Sequence, residues 1–212
     1  MAITLRPKHD TLDGKKLEDY IKIYWQTLCP IPKNNNPAWQ NTGSKDAHFN
    51  NLVPGDLYML SFSRNPQTSV TRNIQVPKSN QGLFIPVMSV LVSACETSGN
   101  LTTIANKDQA SILSSPGVQL ELDGTTANHG GYIFAPASIG TFQVNFPAQP
   151  DAIFDIPNST SCDAVAAGRY VWTNQLSSGN HKVHFKGKIS CNPPNCIDTN
   201  YNEDITYNIT VS

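Results

Sequence analysis

The chain has 212 residues, with 15 Lys plus Arg against 16 Asp plus Glu, and only 15% of its residues are charged. No segment gathers enough Lys and Arg to follow a phosphate backbone, which excludes nucleic acid as an expected partner. The longest apolar run, 83–95, is broken by Pro86, Ser89 and Ser93 and is shorter than the roughly 20 residues of a membrane-crossing helix, so no transmembrane segment is expected.

In chain order, the opening Met1-Ala-Ile-Thr-Leu-Arg-Pro7 has neither a basic start nor a long apolar stretch. Few charges with much Asn, Ser and Thr is the balance of secreted or surface β-proteins. The expectation is an extracellular or cell-surface protein whose signal peptide is absent from this sequence, with the cytoplasm as the alternative. A helix is predicted over 13–28, because Leu17, Tyr20, Ile21, Tyr24, Trp25 and Leu28 recur at spacings of three and four. Asp13 reads as its N-cap, and Pro30 and Pro32 stop it. A long loop rich in Asn, Pro and Gly is predicted over 30–56.

Strands are then predicted at 57–63, 69–76, 83–94, 118–122, 132–134, 141–146, 169–175, 181–189 and 205–211. The run 83–92 has no polar face and reads as a strand covered on both sides or kinked at Pro86. Asp123-Gly124 marks a turn, and Leu176-Ser-Ser-Gly179 reads as a short hairpin pairing 169–175 with 181–189. Alternation turns Val183, Phe185, Ile189, Ile205, Tyr207, Ile209 and Val211 inward. The predicted fold is one all-β domain over 1–212, an antiparallel β-sandwich of jelly-roll or Greek-key type with one N-terminal helix. No internal repeat supports a propeller or solenoid.

Five cysteines leave at least one unpaired within the chain. Cys29, at the end of the predicted helix, is read as the free and buried thiol. Cys191 and Cys196 bracket a Pro-Pro turn and are expected to close a short disulfide, leaving Cys95 and Cys162 as a long-range pair. Two cysteines with four residues between them are a weak zinc signal, so no metal and no cofactor are expected.

Chemistry is sparse. No phosphate loop, nucleophile elbow or His-Glu-x-x-His pattern occurs. Asp46-Ala-His48 would put a carboxylate and an imidazole on one side of a strand, although its polar surroundings also suit plain loop residues. Glu96 follows the most apolar strand, where a carboxyl can act as acid or base or simply hydrogen-bond Arg72 or a loop. Trp39, in an Asn- and Pro-rich loop, suits stacking on a sugar, while the ordinary reading is a loop anchor. His184 and the lysines around it read as a wet strand face.

Three stretches taken together resemble a known family: Leu17-x7-Trp25-Gln26-x4-Ile31-Pro32-x4-Pro37, Leu83-Phe-Ile-Pro-Val87 with Cys95-Glu96, and Gly168-Arg-Tyr-x5-Leu176-Ser-Ser-Gly-Asn-His181-x3-Phe185-Lys-Gly187 with 204–211. The chain is similar there to a family of uncharacterised, mostly secreted β-rich proteins of bacteria and archaea. The resemblance spans most of the chain and implies an extracytoplasmic β-rich domain without an assigned activity. Thr27 stands where that pattern often carries a second tryptophan, which removes one residue from any shared aromatic site. The leading expectation is a non-catalytic binding or assembly role toward a glycan, a protein or copies of itself, with Trp39, Asp46, His48 and Glu96 as ligand-binding candidates. The alternatives are a hydrolase or metal-dependent enzyme using Glu96, His48 and Asp46, and a structural filament or virion component.

Overall fold

The computed structural model of the chain describes residues 2–53, 57–64, 69–114, 117–148, 160–189 and 201–212. Its strands form two mixed sheets. The first joins β1 (Leu57–Met59), β3 (Gly82–Ser93) and β8 (Thr160–Trp172), with β6 (Ile133–Phe134) and β7 (Phe142–Phe146) both paired to β8. The second has the order β2 (Val70–Val76), β10 (Tyr201–Val211), β9 (Gly179–Ile189), β4 (Gln119–Leu122) and β5 (Thr125–Thr126). Among the described residues, four helices accompany them: α1 (Leu17–Leu28), α2 (Asp46–Leu52), α3 (Leu101–Ser114) and α4 (Pro136–Ile139).

Alternate residues of the first sheet enter different buried groups, which is why β3 has no polar face. Leu83, Ile85 and Val87 of β3 pack with Val183, Phe185, Ile205, Tyr207 and Ile209 of the second sheet. Phe84, Met88 and Val92 belong instead with Tyr20, Tyr24, Trp25 and Leu28 of α1. The stripe predicted for α1 is fully buried, and Trp25 docks it on the sheet by donating its indole N–H to Tyr170 Oη at 3.0 Å. The expected core residues Val183, Phe185, Tyr207 and Ile209 share one cluster; the Ile189 side chain lies outside the described residues.

Several expectations are corrected. The helix starts at Leu17, capped where the Lys16 N–H meets Asp19 Oδ2 at 3.0 Å, while Asp13 sits in a turn with φ of 52°. The span 30–56 contains a 3-10 turn, Pro37–Trp39, and helix α2. Two strand pairs are parallel, β1 with β3 and β10 with β2, so the sheets are not purely antiparallel. The predicted hairpin 169–189 does not form: β8 pairs with β3 and β9 with β10, and Leu176 to Gly179 lies on the connection from one sheet to the other. Helix α3 and the first half of β8 were hidden by composition, since α3 buries Asp108 and Gln109 along with Ala105 and Ile112, and β8 is alanine-rich where it packs tightly.

Two backbone details fit their residues. Asp123 and Gly124 take φ of 51° and 77°, the tight turn expected between β4 and β5. Gly168 has φ of 136°, and a Cβ there would lie 2.4 Å from the Met88 carbonyl oxygen, beside the irregularity of β3 between Pro86 and Met88. Cys95 and Cys162 form the expected disulfide, with Cα atoms 5.9 Å apart, tying the end of β3 to the start of β8 across 67 residues. Cys29 is free and buried, and burial, with Glu96 nearby, raises its thiol well above the usual range. Cys191 and Cys196 lie outside the described residues.

Candidate functional site

Trp39, Asp46, His48 and Glu96 fall in different settings. Trp39 closes the 3-10 turn and is half-buried against the core, with Lys33 Nζ 4.0 Å from its ring centroid, the arrangement of a loop anchor. Asp46 and His48 are on α2, not on a strand. Two residues on a helix are about 200° apart, so Asp46 is buried while His48 faces solvent. Glu96 turns back on its own strand end, accepting from Ser93 N at 3.2 Å and Ser93 Oγ at 2.7 Å.

The carboxyls of Asp46 and Glu96 do not meet. Asn50 of α2 bonds the Asp46 carbonyl at 2.9 Å and brackets Met59 of β1 through two hydrogen bonds, and Met59 pairs with Phe84. Glu96 is bonded to Ser93, at the other end of β3. At about 3.3 Å per residue, Phe84 and Ser93 are roughly 30 Å apart along the strand. No single reacting atom is within hydrogen-bond reach of both groups.

Asp46 belongs instead to a buried polar cluster that the sequence reading did not single out. The Gln40 side-chain amide donates to Asp46 Oδ2 at 2.5 Å, and Tyr207 Oη lies 3.1 Å from Asp46 Oδ1. Arg72 donates to Tyr207 Oη and to the carbonyls of Ser61 at 2.9 Å, Gln40 at 3.0 Å and Phe62 at 3.2 Å. Glu203 accepts from Ser63 N at 3.2 Å. Burial raises Asp46 to about 6, against the opposing pull of Arg72, Tyr207 and Gln40, and raises Glu203 to about 8. Burial alone would weaken the Arg72 guanidinium, but Tyr207, Asp46 and Glu203 outweigh it and hold it charged. None of these residues lines the open groove on the outer face of the second sheet. The cluster clamps chain to chain. A signal for it existed: Arg72 and Glu203 occupy inward positions in strands that otherwise alternate apolar and polar, and an inward charge requires buried partners.

The outward positions of the same strands build the candidate site. An open groove of about 830 Å³ runs over the outer face of the second sheet, lined by Asn73, Gln75, Asn180, Lys182, Asn208 and Thr210, with Asp123 and His181 also on its wall. Strand register sets these side chains in two rungs, Gln75–Thr210–Asn180 and Asn73–Asn208–Lys182. The rungs are about 6.7 Å apart and the strands about 4.8 Å. Asn208 Nδ2 donates to Asn73 Oδ1 at 2.9 Å, and Thr210 Oγ1 to Asn180 Oδ1 at 3.2 Å. These bonds orient the amides and leave further donor and acceptor capacity, because an amide offers two N–H groups and two lone pairs. The two apolar residues lining the groove, Ile74 and Ile209, are buried, so its exposed side chains are polar.

Asp123 fixes one side of this groove. Its carboxylate accepts from Ile3 N at 3.1 Å, Lys182 N at 2.8 Å and His181 Nδ1 at 2.9 Å. Partial burial works to raise Asp123, and the His181 bond with the two backbone amides outweighs it and holds the carboxyl below its usual range. The other ring nitrogen, His181 Nε2, is 2.9 Å from the Ser177 carbonyl and 3.4 Å from Ser177 Oγ. Aspartate, histidine and serine in contact invite comparison with a nucleophile triad, but the base would have to accept the serine proton at Nε2. Here that nitrogen faces a nearer backbone carbonyl, which has no proton to give and takes its place beside the ring, so the imidazole braces Asp123 against the Ser177 backbone. Among the described residues, no group of three or more His, Cys, Asp and Glu side chains is placed to hold a metal ion.

No protein-family model matches the chain, and no curated protein matches it. One match among solved structures is to the solution structure of amebosin, at 14% identity over 70% of this chain and 100% of that one, with a TM-score of 0.18. At that score the match carries no weight for fold or function.

Proposed function

We propose that the chain is an extracytoplasmic β-sandwich protein that binds a polyhydroxylated ligand, a glycan, in the groove on its outer sheet face and does no chemistry on it. The carrying observation is the groove's lining: side-chain amides and hydroxyls of Asn73, Gln75, Asn180, Asn208 and Thr210, held at fixed spacings on paired strands. Such groups both donate and accept, which suits sugar hydroxyls. A protein partner would call for aromatic or aliphatic anchors, and the groove's exposed lining has none. The disulfide between Cys95 and Cys162 suits an oxidising compartment, in keeping with the secreted family the sequence resembles.

Calorimetric titration with a panel of neutral and charged oligosaccharides tests this reading. The expected result is saturable binding of at least one saccharide class, weakened at least about fivefold, or about 1 kcal/mol, in Asn180→Ala/Asn208→Ala. A folded protein that binds no saccharide in the panel would overturn it.

A further inference from the structure

Arg72 and Glu203 hold two stretches of chain, 40–46 and 61–63, that belong to neither sheet. Arg72 reaches the carbonyls of Gln40, Ser61 and Phe62, and Glu203 takes the Ser63 N–H, while the Tyr201 hydroxyl donates to the Ser63 carbonyl. Loop 40–46 is in turn fastened to the edge of the second sheet, where Asn73 N donates to the Thr42 carbonyl at 3.1 Å. Arg72 and Glu203 are 0% and 2% exposed.

Among the described residues, this one guanidinium is the cation whose charge reaches two enclosed carboxyls, acting through space while its N–H groups bond carbonyls and Tyr207. Asp46 on α2 is bonded by Gln40 and Tyr207. Glu203 has the Ser63 amide, and among the described residues the titratable groups that act on it are Arg72 from β2, Tyr201 from its own strand, Tyr24 from α1 and, through their shared Arg72, Tyr207 and Asp46. On the neighbouring strand β9, the residue opposite Glu203 is Gly187, which brings no charge. Two ionised carboxyls would leave an unmatched negative charge in a dry site, at a cost of several kcal/mol if it stayed enclosed. A proton on one of them removes that excess.

We propose that Glu203 is a proton-held latch: protonated, it lets stretches 40–46 and 61–63 lie locked against the second sheet, and ionised, it loosens them. The proposal does not depend on what the groove binds. Burial, opposed by the Ser63 amide, Arg72 and Tyr201, raises the Glu203 carboxyl to about 8, so it holds its proton at neutral pH. A carboxyl whose folded value is above its ordinary one stabilises the closed form fully below that ordinary value. The contribution is lost as pH rises toward and through the folded value, here from 4.5 through about 8. Asp46 adds a smaller effect of the same sign between 3.8 and about 6.

Hydrogen-exchange protection factors at pH 6 and pH 9 test the latch on the Ser61, Phe62 and Ser63 amides, which bond Tyr207 Oη, Tyr24 Oη and Glu203 in turn. Protection in the wild type should fall about tenfold or more over that interval, while Ile85 in β3, paired with Val171, keeps its own and Glu203→Gln keeps protection at both pH values. Equal wild-type protection at pH 6 and 9, or an equal fall in Glu203→Gln, would overturn the proposal. The wild type gives a second reading that needs no variant, since the Glu203 side-chain carboxyl can be followed by carbon NMR. A midpoint above pH 7 supports the latch, and one below 6 contradicts it.

Discussion

On β2 and β10 the groove-facing residues Asn73, Gln75, Asn208 and Thr210 are neutral and exposed, whereas two of the residues that point inward, Arg72 and Glu203, are ionisable and buried. The usual division puts charge in water and neutral groups inside. The inner face holds these groups because each has partners: three carbonyls and a phenol for Arg72, and a backbone amide for Glu203. The outer face needs no partners to be stable, and that is why its amides are available to a ligand. Polar residues on the two sides of one sheet thus stand in different settings, holding the chain on one side and facing solvent on the other.

If that division is right, substitutions on the two faces should differ sharply. The largest effect is expected for Arg72→Met, which strips the cation from Asp46 and leaves three buried carbonyls without their donor. A loss of about 4–5 kcal/mol in denaturant unfolding is predicted; a loss under 1 would show that the cluster is dispensable. Phe185→Ala removes a 0% exposed ring stacked 6.2 Å from Tyr207 and should cost about 3–5 kcal/mol by the same measurement. The smallest effect on stability belongs to the groove: Asn208→Ala gives up one exposed side-chain bond and should change unfolding by under about 0.5 kcal/mol. A groove substitution that destabilises as much as Arg72→Met would erase the contrast between the faces.

Much of the fold was legible where period and environment agreed. The α1 stripe, the inward set of β9 and β10 and the doubly covered β3 follow from spacing alone, because each element buries its apolar residues on the side the period dictates. Pairing was less legible. Leu176 to Gly179 has hairpin chemistry, but the β8 strand before it finds β3 and the β9 strand after it finds β10, a choice made by long-range packing. For the site, Asp46 and His48 were expected in a polar loop, where only a strand would have set them on one side, and the helix that forms there turns them apart. The groove escaped notice because it draws two residues from each of three strands separated in sequence, and each of them reads alone as an ordinary wet position.

Mapping backbone amide shifts by NMR while titrating an oligosaccharide that binds tests the central claim most directly, since it reports where the ligand sits. The account predicts saturable shifts concentrated on Asn73, Gln75, Asn180, Lys182, Asn208 and Thr210, with α1 and the Trp39 turn unmoved. Shifts centred on Trp39 and His48 instead, or a bound saccharide that leaves β2, β9 and β10 unperturbed, would contradict it.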